Sequence, residues 1–142
     1  MRHITASRYH DFSMGHAVVG HDSGCQHLHG HNYRIHFHCR AANLNELGMV
    51  IDFKDIKSKL CQWLEDNWDH KMVLWSQDHR ATMLQSIHEP VVMVPFNPTA
   101  ENLAEFLLKV MAPAELSDTY IECYAIDLWE TRKCYVRVEL DE

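Results

Sequence analysis

Hydrophobic and polar residues alternate most cleanly between Asn32 and Ala41. Tyr33, Ile35, Phe37 and Cys39 share one side there, and Arg34, His36, His38 and Arg40 share the other. Successive side chains of an extended chain point to opposite faces, so this segment is expected to be a half-buried strand. Residues 3–12 are expected to form a first strand ending at Phe12-Ser13. A Gly- and His-rich loop with Gly15, Gly20 and Gly24 then carries His16 and Cys25. After a turn at Asn43-Leu44-Asn45 and the run Gly48-Met49-Val50-Ile51, the period changes. Asp52 is placed to cap a helix in which Phe53, Ile56, Leu60, Trp63 and Leu64 recur at helical spacing, a core stripe. Val91 to Val94 reads as a short buried strand. Asn97-Pro98-Thr99 opens a second helix with Leu103, Leu107, Val110 and Met111 on one side and Pro113 at its end. Two last strands, about 120–130 and 134–140, meet at a tight turn, Thr131-Arg132-Lys133. The pattern predicts an α+β fold: an antiparallel four-stranded sheet with two helices packed on one face. The stretch Lys71 to Phe96, with Trp75 and His79, carries no assigned role.

Composition narrows the possibilities. A chain of 142 residues, 46% hydrophobic, is expected to form one domain spanning 1–142 with a substantial core. A formal charge of -7 and a pI near 5.9 argue against nucleic acid as a partner, because phosphate neutralisation needs a basic face. No run of 18 apolar residues occurs, and Met1-Arg2-His3-Ile4-Thr5 lacks an apolar signal core. A cytoplasmic protein without membrane association is expected. Five cysteines without paired spacing fit reduced thiols; Cys39, Cys61, Cys123 and Cys134 are expected as small core or surface residues.

The chemistry concentrates in Cys25-Gln26-His27-Leu28-His29-Gly30-His31, with His16 a short distance before it. His29 and His31 fall on one face of an extended strand, and a third imidazole would complete a three-nitrogen metal site with its fourth position open. Chance pairs are expected among 12 histidines, and His36/His38 repeat the spacing, but on the arginine-bearing side. Asp69-His70 follows the first helix, where the carboxylate can fix the histidine tautomer, or the Asp and a cationic His can simply be dipole partners at the helix end. Glu101 stands in the first turn of the second helix, where a carboxylate is favoured electrostatically. Glu130 shares the apolar side of Ile126 and Leu128, and a buried carboxylate needs a partner.

Six motifs occur in a recognisable order: Phe12-Ser13-Met14-Gly15-His16; Cys25-x-x-x-His29-Gly30-His31-Asn32-Tyr33; Gly48-Met49-Val50-Ile51-Asp52-Phe53; Asp69-His70; Pro98-Thr99-Ala100-Glu101-Asn102-Leu103-Ala104; and Glu130-Thr131. Along nearly its whole length the chain resembles the 6-pyruvoyltetrahydropterin synthase superfamily. The three residues between cysteine and His-Gly-His resemble the 6-carboxytetrahydropterin synthases of the 7-deazaguanine (queuosine precursor) pathway. That resemblance implies Zn2+ held by His16, His29 and His31, with Cys25 as a proton-shuttling thiol. It implies Asp69 with His70 as the second acid–base element, Glu130 as the anchor of the pterin's guanidine-like edge, and Thr99 and Glu101 lining the pterin pocket. It implies the tunnelling fold, homo-oligomers (trimers or hexamers) with sites at subunit interfaces, and 7,8-dihydroneopterin triphosphate as substrate. The product would be 6-carboxy-5,6,7,8-tetrahydropterin, with loss of acetaldehyde and triphosphate. The alternatives are a pyruvoyl-forming synthase or another pterin side-chain lyase and, more distantly, a non-catalytic zinc- and pterin-binding protein. The chain departs from the branch at His27, where relatives often carry Arg. Lys71, Arg132 and Lys133 are the candidate contacts for a triphosphate.

Overall fold

The computed structural model describes residues 4–141; His3, the first residue of the expected opening strand, lies outside the described residues. Six strands build one mixed sheet: β1 (Ala6–His16), β2 (His29–Arg40), β3 (Met72–Trp75), β4 (Val91–Val94), β5 (Glu122–Thr131) and β6 (Cys134–Glu139), in the order β4-β3-β1-β2-β5-β6. The expected antiparallel four-stranded sheet is therefore incomplete. β1, β2, β5 and β6 are antiparallel, while β3 and β4 extend the β1 edge in parallel. β3 is four apolar residues long, too short to show an alternation, and lies in the stretch left unassigned.

β1 and β2 also run further toward one another than the pattern implied. Their register continues through Ser13↔Asn32 and Gly15↔Gly30 to His16↔His29, so His16 ends a strand instead of sitting in a loop. Gly15 hid this extension on the β1 side, since it read as a loop residue, and Gly30 lies opposite it. Here they serve close approach: a Cβ on Gly15 would stand 2.6 Å from the Met72 side chain, and one on Gly30 would stand 3.3 Å from the Met14 carbonyl oxygen.

The helices follow the apolar stripes. α1 (Phe53–Ile56) starts at Asp52, whose carboxylate accepts from the Lys54 N–H, as expected of a cap. A π-helical turn, Lys57–Cys61, joins it to α2 (Gln62–Asn67). α3 (Arg80–Ser86) crosses between β3 and β4, the kind of connection that parallel strands require. α4 (Ala100–Phe106), capped by Thr99, passes through a second π turn, Leu107–Met111, into α5 (Ala112–Glu115). Ala112 N–H reaches back five residues to Leu107 O, so Pro113 falls within the first turn of α5 and does not end the helix. Val110 and Phe53, expected in the core, are exposed.

Ile56, Leu60, Leu64, Trp68, Leu103, Leu107 and Leu108 pack on Tyr33, Ile35, Phe37, Ile126 and Leu128 in one cluster. Burying each such side chain is worth about 1.5–3 kcal/mol. A smaller cluster of Ala17, Leu74 and Ala81 seats α3 against β3. The opposite sheet face is polar. Arg34 forks onto Asp11 and lies over the Tyr9 ring, and His38 bridges Ser7 and Asp127. Among the described residues, no helix is long and apolar enough to cross a membrane.

Candidate active site

The register of β1 and β2 places His16 opposite His29, with His31 two residues along on the same face. One ligand atom from each lies within 4.8 Å of the others, so the three imidazoles can hold a metal ion. Two of them, His16 and His29, have their outer nitrogens tied down. His16 Nδ1 lies 2.7 Å from Pro98 O, and His29 Nδ1 lies 2.7 Å from His27 O. A carbonyl oxygen only accepts, so in each ring Nδ1 carries the proton and Nε2 presents its lone pair. His16 is 2% exposed, and its Nε2 is buried without a hydrogen bond. An orphaned imidazole lone pair beside two further imidazoles is the donor set of a borderline cation.

Glu130 completes the cluster. Its Oε2 lies 3.2 Å from His16 Nε2 and 3.4 Å from His31 Nε2, at the irregular step where β5 and β6 change register. Such irregular steps re-aim side chains beside functional sites. In its cationic form the His16 imidazole holds the Glu130 carboxyl below the usual carboxylate range, against the opposing effect of burial, and His31 and His29 add to it. Burial pushes the His31 imidazole down, while Glu130 pulls it the other way. Tyr33 was missed as a site residue, although it shares the parity of His31. Its ring packs edge-on to His16 and His31, and its hydroxyl donates to Glu130 Oε2 at 3.5 Å. Burial drives its pKa upward, so it stays a donor.

Asp69 and His70 form a second, separate pair. Asp69 Oδ2 lies 2.9 Å from His70 Nδ1, and its Oδ1 accepts from the Ser13 N–H. Burial works to raise the Asp69 pKa, but hydrogen bonds from His70 and Ser13 outweigh it and leave it lowered. His70 adopts a left-handed conformation, φ 59°, with its N–H donating to Ser13 O and its side chain 80% exposed. The ring faces an open groove of about 610 Å3 lined by Ser13, Gly30, His31, Asn32 and Lys71.

Cys25 lies exposed in a short 3-10 turn, Gly24–Gln26, that precedes β2. Neither it nor the Asp69–His70 pair hydrogen-bonds to the imidazole cluster. The Thr99 side chain accepts from the Asn102 N–H as the cap of α4, and Glu101 is exposed in the first turn. This segment reaches the site through the Pro98 carbonyl. Of the candidate phosphate contacts, Lys71 Nζ is engaged by the Asp66 carbonyl, Arg132 borders a cleft with Arg34 and Trp129, and Lys133 is exposed.

Residues 5–141 match the family model described as 6-pyruvoyl tetrahydropterin synthase. A 6-carboxy-5,6,7,8-tetrahydropterin synthase of Rickettsia bellii is 36% identical over 137 residues, covering 95% of this chain and 99% of the relative. One of Haemophilus influenzae is 35% identical over 133 residues, covering 88% and 91%. An uncharacterized Wolinella succinogenes protein shares the fold at TM-score 0.82 and 19% identity, covering 97% of this chain and 98% of its own. The Plasmodium vivax 6-pyruvoyltetrahydropterin synthase does so at TM-score 0.71 and 18% identity, covering 99% and 100%. A fold shared over whole chains and a sequence match from end to end agree with the motif order read earlier, and the chain belongs to the 6-pyruvoyl tetrahydropterin synthase family.

Proposed function

We propose that the protein converts 7,8-dihydroneopterin triphosphate and one water to 6-carboxy-5,6,7,8-tetrahydropterin, releasing acetaldehyde and triphosphate. It would act as a zinc-dependent carbon–carbon lyase on the cytoplasmic route to 7-deazaguanines. The observation that carries this reading is the meeting of three imidazoles, one with an unpartnered buried Nε2, beside the Glu130 carboxylate. It occurs in a chain whose relatives over nearly full length are named for that product.

His16, His29 and His31 would hold the metal, which supplies Lewis-acid polarisation of the substrate's side-chain oxygens. Glu130 accepts the paired N–H groups of the pterin's guanidine-like edge, a task suited to an ionised carboxylate. Cys25 and His70 move protons at the substrate side chain, with Asp69 orienting the His70 ring.

Asp69–His70 opens onto a groove that His31 of the imidazole cluster also lines. The resemblance to the family implies trimers or hexamers of a tunnelling fold, with the site completed between copies of the chain.

Incubation with 7,8-dihydroneopterin triphosphate and mass spectrometry of the products tests the reading. 6-Carboxytetrahydropterin with acetaldehyde is expected. A pyruvoyl product would move the protein to the other branch, and no turnover by the metal-loaded protein would leave a binding role.

A further inference from the structure

The turn that carries Cys25 has few ties to the body of the protein. Within it, Gln26 N–H bonds Ser23 O and His27 N–H bonds Gly24 O, both local contacts. Val18 N–H donates to Cys25 O, which links the turn to the chain just after β1. One side chain from a distant segment reaches it: Arg80 Nη1 donates to the Gln26 carbonyl at 2.8 Å, across 54 residues.

Arg80 is itself held firmly. Its Nε and Nη2 fork onto the two oxygens of Asp78 at 3.0 and 2.8 Å, and its own backbone N–H donates to Asp78 Oδ1. The Asp78 side chain is 2% exposed. A bidentate guanidinium–carboxylate pair fixes the plane of the guanidinium, so the remaining nitrogen points in a set direction. That direction is the residue next to Cys25. Below the pair, Ala81 and Leu84 of α3 pack with Leu74 and Ala17, which anchors the whole device to β3 and the end of β1.

We propose that Arg80, oriented by Asp78, is a positioning residue for the Cys25 thiol, and that the β3–α3–β4 segment serves to deliver it. The inference rests on the reading of Cys25 as the proton-shuttling thiol, but the contact itself can be tested without substrate. A proton-transfer group must be held in place to be effective, and a small displacement is costly. The cation is neutralised by Asp78, so its action is geometric and not a second charge on the thiol.

The test compares wild type with Arg80→Ala and Arg80→Lys. Lysine can still pair with Asp78, but it has no rigid fork to reach Gln26 at the same time. It therefore keeps the question open should Arg80→Ala fold poorly. Hydrogen exchange of the peptide spanning residues 20–28 is measured by mass spectrometry, as is the ratio of iodoacetamide labelling at Cys25 to that at exposed Cys134. Loss of one charge-assisted hydrogen bond is expected to speed exchange of the turn by about tenfold and to raise the labelling ratio. Exchange and labelling as in wild type, in whichever variant folds, overturn the proposal whatever the activity does. In the turnover assay kcat should fall with KM nearly unchanged, the pattern of a lost transition-state interaction. A rise in KM alone would also overturn it. Absence of turnover in wild type refutes the proposed reaction instead, and is read separately from the exchange result.

Discussion

His16 Nδ1 lies 2.7 Å from the Pro98 carbonyl oxygen, which ties the last residue of β1 to the turn that precedes α4 across 82 positions of sequence. This contact fixes the tautomer that leaves His16 Nε2 free to ligate. His29 is set in the same way by the carbonyl of His27. Two separate backbone segments thus decide how the imidazole cluster would face a metal ion.

Replacing His16 or His29 with Ala is expected to remove the bound metal. Elemental analysis of the purified variants against wild type checks it, and an unchanged zinc content would refute the ligand assignment. Zinc chelation of the wild type should abolish turnover, with recovery on adding zinc back.

Glu130 touches His16 and His31 and is proposed to hold the pterin edge. Glu130→Gln keeps the shape but loses the charge and half the acceptor capacity. KM for the pterin substrate should rise by roughly ten- to a hundredfold, the range for lost hydrogen bonds to a charged group. Metal content should stay at the wild-type level. Loss of metal without a KM effect would make Glu130 a ligand instead.

Cys25→Ala should abolish turnover while zinc and pterin binding persist. Because Cys25 is exposed, its removal should change stability by no more than about 0.5 kcal/mol. Surviving activity would show that another group moves the proton.

Acid should loosen the protein partly through Asp78. The Arg80 guanidinium beside it holds its carboxyl below its ordinary value of 3.8. A carboxylate with a lowered folded pKa contributes stability above the unfolded value, and that contribution fades as pH falls through the folded value. Asp78→Asn should therefore cost about 1–3 kcal/mol at neutral pH, with the gap to wild type closing below pH 3.8. Urea denaturation at several pH values measures both; a constant gap would refute the linkage.

Much of the site was legible because its residues obey strand parity. His29, His31 and Tyr33 share one side of β2, and Glu130 shares a side with Leu128 by the same rule. The helical stripe from Ile56 to Leu64 was visible through its own spacing of three to four residues. Gly15, read with Gly20 and Gly24 as loop, concealed the last rungs of the ladder, because close backbone approach looks like loop composition. The π turns misled the reading of Val110 and Pro113, since a widened turn shifts the helical phase and local propensity does not announce it. β3 and α3 stayed hidden because short parallel strands show no alternation, and with them went Asp78 and Arg80. Their partner, the Gln26 carbonyl, is backbone and leaves no trace in the identity of a residue.

The strand that ends in His16 is bonded on both sides, to His29 of β2 and Val73 of β3. Cys25, by contrast, sits in a three-residue turn outside the sheet. The chain thus divides its labour by stiffness: the imidazole cluster is mounted on interior strands that open only when much of the sheet does, and the thiol is mounted where opening needs little. Under thermal or denaturant stress the two should part company. The thiol's placement would be lost first, while the imidazole cluster kept its geometry and its capacity to hold a metal.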